Sequence, residues 1–357
     1  MSIELILFSS VIVSTIFLIL LAVCIFYLIK FFLQVDLPVL KLSNESLLSI
    51  IAVFSFIFVS GWYWDGWWHV TFGRDRFFSP PHIGVYLYLL FFFIGTLYLY
   101  KREKSGNYKY ALWAEAITLY SGIVDIFWHG HFGVEKLISP LIIWSPPHLV
   151  GFFATLASML CILIVLLKKY KKDQNPLSFF KIVLLSGSTI SIISIITSPL
   201  QPLSWHHILG VWGVAITIFF GVFFLIFMVH RLPKSGIATL TMLILIVFIG
   251  FEAKSIAPGL ELPPHPNTPQ WLHFLAALLA VIWIDFILIK KNHSFIIGGV
   301  SGLIMTSIYA IFFKFVNTPS FSYTGMDGMM LIISGSVGGL CAGLTYDWIK
   351  RKSKWKL

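Results

Sequence analysis

Two stretches of this chain place carboxylate and imidazole side chains at helical spacing. The first reads Asp65-Gly-Trp-Trp-His69-Val-Thr-Phe-Gly73, the second Asp125-Ile-Phe-Trp-His129-Gly-His131-Phe-Gly133. Both have the form D-x-x-W-H-x-x-F-G, and each is followed by Ser-Pro-Pro-His, ending at His82 and at His148. Asp and His four residues apart share one face of a helix. Two prolines suit the first turn of the next helix, where a missing N–H is tolerated. His82 and His148 are thereby expected at helix starts. The positive end of the helix dipole there favours the neutral imidazole that a metal requires. One carboxylate and two imidazoles make a ligand set for copper, zinc or non-haem iron. Three protein ligands leave a position open, as a catalytic metal site needs. The candidate ligands are Asp65, His69 and His82 in one unit and Asp125, His129 and His148 in the other. His131 is a spare or outer group, and Trp67, Trp68 and Trp128 read as interfacial anchors.

The same residues resemble the third of the three subunits of the copper membrane monooxygenases, which oxidise methane, ammonia or short alkanes. That family has an Asp-x3-His at a helix end and a second His thirteen residues later, the spacing of Asp65, His69 and His82. Its Arg-Asp pair shortly after the first His is matched by Arg74-Asp75. Its second, downstream triad has Asn in place of the carboxylate. Asp125, His129 and His148 resemble that site with Asp for Asn and a longer gap between the histidines. The resemblance covers roughly residues 45–165. It implies copper as the metal, a part in oxidising a small apolar substrate, and association with other membrane subunits. Residues 175–357 have no counterpart in it.

The elements that must position these groups are membrane helices. Of 357 residues, 58% are hydrophobic and 11% charged, and the mean hydropathy is +0.90. A soluble domain carries about 25% charged residues, so a soluble globular enzyme, a disordered chain and a disulfide scaffold are all excluded. Apolar runs predict eleven spans, over roughly 3–29, 47–67, 82–100, 110–130, 147–167, 179–199, 207–229, 237–252, 271–289, 295–313 and 328–348. The fold class is therefore an all-α polytopic membrane protein with duplicated helix-loop-helix hairpins. Its parts are a first span and loop (1–45), the metal-motif hairpins (46–170) and further spans of unassigned role (171–357). The first span lacks a basic leader and its apolar run is long, so it reads as a helix rather than a cleaved signal. Cys24, Cys161 and Cys341 are far apart in apolar runs and read as buried small side chains, with no disulfide framework.

The net charge of +10 would raise nucleic acid as a partner in a soluble protein. Here the basic residues fall in short loops, so the lipid bilayer is the expected partner and nucleic acid is not. Of the 25 Lys and Arg, 20 lie in the loops after odd-numbered spans, in the C-terminal tail or, for Lys181, at the adjoining start of the sixth span. The exceptions are Arg74, Arg76, Lys136, Lys254 and Lys314. The positive-inside rule then puts the N-terminus outside and the C-terminus inside the cell membrane. Nine of the eleven histidines, all but His230 and His293, fall at the outer face. The metal motifs are thus expected at the extracytoplasmic side.

The second half offers weaker signals. His206, His207, His265 and His273 sit beside prolines near span starts but lack an Asp-x3-His partner. They read either as degenerate copies of the hairpin or as proline-started interfacial helices. Glu252 and Glu261 share an outer loop with them. Glu115 and Asp285 are isolated carboxylates inside spans, which pair with a neighbour or hold a proton. Gly335, Gly338, Gly339 and Gly343 read as close helix packing. No phosphate-binding, dinucleotide-binding or haem motif occurs. Two functional classes remain: a metal-dependent oxidation component, and a transporter or metal-handling protein without redox turnover. The orientation is directly testable. Cysteines introduced near Arg74 or Glu135 are expected to react with an impermeant thiol reagent added outside intact cells, and one near Lys172 is not. Equal labelling of all three sites would reverse or abolish the assignment.

Overall fold

The structure, a computed structural model, describes residues 41–72, 79–132, 141–200, 212–232, 236–251, 271–288, 293–313 and 325–352. The described residues are helical, in chain order α1 (Asn44–Phe72), α2 (Pro80–Glu103), α3 (Gly106–Phe132), α4 (Leu141–Trp144), α5 (Pro146–Asp173) and α6 (Pro176–Thr197), then α7 (Gly213–Arg231), α8 (Ile237–Phe251), α9 (Trp271–Leu288), α10 (Ser294–Phe313) and α11 (Gly325–Lys352). Seven of these, α1, α2, α5, α6, α7, α10 and α11, are long and apolar enough to cross a membrane. This is an all-helical membrane protein. Each predicted span from the second onward overlaps a described helix, but α3, α8 and α9 are not among the seven; the first predicted span lies outside the described residues. The short α4 has no counterpart among the predicted spans. It is held where Trp144 Nε1 donates to the Ile196 carbonyl at 2.8 Å.

Why these segments are helices follows from their ends and faces. Pro-Pro opens both α2 and α5, after Ser79 and Ser145 in extended conformation. The N–H groups that prolines lack are ones that no helix start can satisfy internally. Both helices finish the same way. Lys104 and Gln174 take left-handed conformations (φ 52° and 49°) and donate their N–H to the carbonyls of Tyr100 and Tyr170. Glycine is the usual residue there, so neither cap is announced by its residue type. Between the ends, outward positions such as Val53, Ile57, Leu87, Leu90 and Ile94 are exposed apolar side chains. In a bilayer these face lipid.

Two kinds of packing join the helices. At the end rich in lysine, Glu45 pairs with the buried Lys181 of α6, and Lys169 of α5 lies 3.0 Å from Glu103 of α2. Asn44 donates to Glu103 at 2.8 Å and Arg102 donates to the Leu42 carbonyl at 2.7 Å. These bonds tie α1, α2, α5 and α6 together. Further along the chain, α10 and α11 meet glycine to glycine. A Cβ on Gly298 would collide with the carbonyl of Gly339, one on Gly339 with that of Gly298, and one on Gly302 with that of Gly335. Backbones approach this closely only without side chains. The glycines of the last span therefore serve close helix packing, as their spacing predicts.

One expectation needs correction. Cys341 is exposed and Cys161 partly so, because a lipid-facing position suits a small apolar side chain as well as a core one. Cys24 lies outside the described residues. Asp285 pairs with neighbours, as expected of an isolated carboxylate inside a span. Its carboxylate accepts from the N–H groups of Ala238 and Thr239, at 3.1 and 2.8 Å, and from the Thr239 hydroxyl at 2.7 Å. It caps the first turn of α8 from a different helix, satisfying N–H groups that have no partner within α8. Asp285→Ala is expected to destabilise the protein by about 1–3 kcal/mol, the usual loss when buried donors are orphaned. Asp285→Asn should lose less. Thermal unfolding in detergent reads the difference, and metal content should be unchanged in both.

Candidate metal centre

The first cluster forms where α1 ends and α2 begins. Asp65 and His69 sit one turn apart near the end of α1, and His82 lies in the first turn of α2. Asp65 Oδ2 is 3.1 Å from His69 Nε2, and its Oδ1 is 3.0 Å from His82 Nε2. The second cluster is built alike from α3 and α5. Asp125 Oδ2 is 3.3 Å from His129 Nε2, and Oδ1 is 3.3 Å from His148 Nε2. In each case one carboxylate is gripped between two imidazoles, one oxygen to each. The ring pairs match too, with centroids 6.1 Å apart for His69 and His82 and 5.9 Å for His129 and His148. In each triad three ligand atoms, one per residue, lie within 4.8 Å of one another.

The donor set suits a metal ion. Metal bonds of about 2.0–2.2 Å hold neighbouring donors about 3.0–3.5 Å apart, and the oxygen–nitrogen separations fall in that range. The same separations also suit direct imidazole–carboxylate ion pairs, in which the two histidines of each triad share the charge of its aspartate.

No protein-family model, curated protein or solved structure matches this chain.

The surroundings distinguish the remaining candidates. His131 is exposed and packs edge-on against Phe132, with ring centroids 4.7 Å apart. Two residues beyond His129, it is turned about 200° around the helix. It is not among the three converging ligand groups of the second cluster. Arg74 and Asp75, and with them Arg76, lie outside the described residues, as do His206, His207, His265, Glu252 and Glu261. His273 falls on α9, without a described side chain. Trp68 packs on Phe72 at 4.5 Å and Trp128 on Phe132 at 4.4 Å. These equivalent pairs flank the two triads.

One residue that the motifs do not signal is Trp62. It stands three residues before Asp65 on α1, but its ring meets the second triad. It lies edge-on to His148, with centroids 5.9 Å apart, and packs on Phe152 at 4.6 Å. The equivalent position in the second unit is Gly122, so no repeat signal could have found it. The indole fixes the orientation of the His148 ring from a helix that belongs to the first triad. Trp62→Ala is therefore expected to weaken metal binding at the second triad about 10–100-fold, the effect of losing an outer support. The first triad should bind as before, which a two-site metal titration resolves.

Proposed function

We propose that the protein is an integral membrane metal protein that holds one copper ion in each of two carboxylate–bis-imidazole triads and serves the oxidation of a small apolar substrate. The observation that carries the reading is the convergence of Asp65, His69 and His82, and of Asp125, His129 and His148, into two ligand sets of matched geometry. The choice of copper rests on the resemblance of the first triad's spacing to the third subunit of the copper membrane monooxygenases; the same donors also accept zinc or iron. Copper, when bound, supplies one-electron redox chemistry. The chain's own residues supply the rest. Asp65 and Asp125 provide negative charge, the four imidazoles provide neutral donors, and the flanking Trp–Phe pairs keep water from the apolar side.

The proposed architecture has eleven spans, with the N-terminus outside, the C-terminus inside and the triads at the extracytoplasmic face of the cell membrane. Support comes from the distribution of Lys and Arg and from the ten predicted spans that coincide with helices. The hairpin α1–α2 and the hairpin α3–α5 are proposed copies of one unit. Support comes from Ser-Pro-Pro-His at both helix starts, the Trp–Phe pairs, and left-handed caps following Tyr-Lys at both helix ends. Association with other membrane subunits follows from the resemblance.

Metal analysis of the purified full-length protein tests the reading. Two equivalents are expected per chain. His69→Ala and His129→Ala should each remove one, and the double variant both, with helix content retained because each span satisfies its own backbone. Asp65→Asn should weaken binding less than Asp65→Ala, since the amide oxygen still coordinates. Unchanged metal content in the double variant would sink the metal reading. Two bound ions that cross proteoliposomes but never support uptake of dioxygen with a short alkane would replace oxidation with metal transport.

A further inference from the structure

The lysine-rich end of the bundle carries a groove between the last turns of α5 and α7. It is lined by Ile164, Leu167, Lys168 and Lys171 of α5 and by Phe227 and Arg231 of α7. Each of these helices packs against α6. Twenty residues at 1.5 Å each put Lys168 about 30 Å along α5 from His148, so the groove lies a bilayer's thickness from the second triad. On α5, Ile164, Lys168 and Lys171 are four and three residues apart and form one stripe. On α7, Phe227 and Arg231 are four apart and share a face. The groove is therefore graded. Toward the middle of the helices it is apolar, with Ile164, Leu167 and Phe227. At the helix ends it carries three cations.

The lysines at this end divide into two groups. Lys169 turns into the bundle, 3.0 Å from Glu103 and 3.7 Å from Glu45, and the buried Lys181 pairs with Glu45. Their charges are balanced within the protein. Lys168 and Lys171 are exposed on the neighbouring face of α5. Asp173 of α5 and Asp347 of α11 are not in the groove's lining. Arg231 Cζ lies over the Phe227 ring, 5.5 Å from its centroid. This cation–π contact holds the guanidinium against the apolar wall. Lysine stems lie along apolar surface in the same way while their ammonium groups reach outward. Orienting the chain in a membrane requires only that basic residues fall in the loops on one side. Gathering three of them around one apolar cleft is a further property.

A soluble anion gains nothing from the apolar wall, and an apolar ligand gains nothing from the cations. A membrane lipid with an anionic headgroup has both halves in the required order. Its phosphate lies level with the helix ends, and its chains run toward the bilayer interior. Basic pockets between membrane helices bind headgroups on these terms. We propose that the groove between α5 and α7 is a binding site for one anionic phospholipid, with its phosphodiester among Lys168, Lys171 and Arg231 and an acyl chain along Ile164, Leu167 and Phe227. A lipid seated there joins the end of α5, the helix that carries His148, to the end of α7. Its placement in the cytoplasmic leaflet rests on the orientation proposed above. The site itself does not, and neither depends on metal in the triads.

Native mass spectrometry of the full-length protein released from detergent tests the proposal, with phosphatidylglycerol and phosphatidylcholine of the same chains as probes. One phosphatidylglycerol is expected to bind ahead of any other and in preference to phosphatidylcholine. Because Lys168 and Lys171 are exposed, Lys168→Gln/Lys171→Gln should fold as the wild type does. It should bind that lipid about 20-fold more weakly, at about fivefold for each charge. Arg351→Gln/Lys352→Gln removes two exposed charges from the last turn of α11, outside the groove, and should leave the lipid in place. Glycerol phosphate, the headgroup without its chains, should not displace it. No preference for the anionic lipid would overturn the proposal. Equal weakening in the two variants would overturn it in favour of diffuse attraction to a basic surface. Displacement by glycerol phosphate at matched concentration would overturn it in favour of a site for a soluble anion.

Discussion

A carboxylate near the end of an apolar helix must share its charge with something close by. At the centre of a bilayer the penalty is about 2.5–3.5 kcal/mol, and it falls toward the interface. Asp65 and Asp125 stand in that position, and each is gripped by two imidazoles from two different helices. One imidazole of each pair sits a turn away on the same helix. The other needs a second helix to start at the right place, and a rigid Pro-Pro start provides it. The requirement therefore reaches beyond the side chains. It fixes the end of α1 against the start of α2 and the end of α3 against the start of α5. Polar bonds at the lysine-rich end then hold the far end of α1 against that of α2, so the first hairpin is pinned at both extremities.

What the amino-acid sequence makes legible is whatever depends on short-range geometry. The triads can be read because Asp-x3-His fixes a helix face and Ser-Pro-Pro-His fixes a helix start. The helices themselves can be read because apolar runs of bilayer length have few alternatives. Contacts that depend on tertiary placement are not legible. Asp285 caps α8 from α9 across more than forty residues, and no local pattern announces such a cap. Trp62 touches the triad of the other hairpin because α1 passes close to α5, a fact of packing rather than spacing. His131 shows the same limit at short range: it is two residues from His129, but helical rotation turns it away from the three converging groups.

The two halves of the chain solve the packing problem differently. Around the triads, helices are joined by charged groups, hydroxyls and large aromatic rings such as Tyr88, Phe92 and Phe152, all fully or nearly buried. In α10 and α11, joining is by absence of side chains, with glycine backbones in direct contact. Glycine contacts give close, rigid association but no groups that can bind or react. Rings and hydroxyls leave chemistry at the interface. The two interfaces thus differ in kind: the helices around the triads meet through polar and aromatic side chains, and α10 and α11 meet through backbone.

Two hairpins of similar form have acquired unlike surroundings, and the differences all concern the second triad. Its carboxylate–imidazole contacts are longer, 3.3 Å against 3.0 and 3.1 Å. Its aspartate is about twice as exposed, 21% against 10%. Its histidine is braced by an aromatic ring borrowed from the other hairpin. Further along α3 lie the buried Thr118 and Glu115, where the first unit has Phe58 and Ser55. One motif has thus been set in two environments: Asp65 is the more enclosed carboxylate, and His148 is packed by a ring from the other hairpin, so the shared short-range geometry of the triads does not extend to what surrounds them.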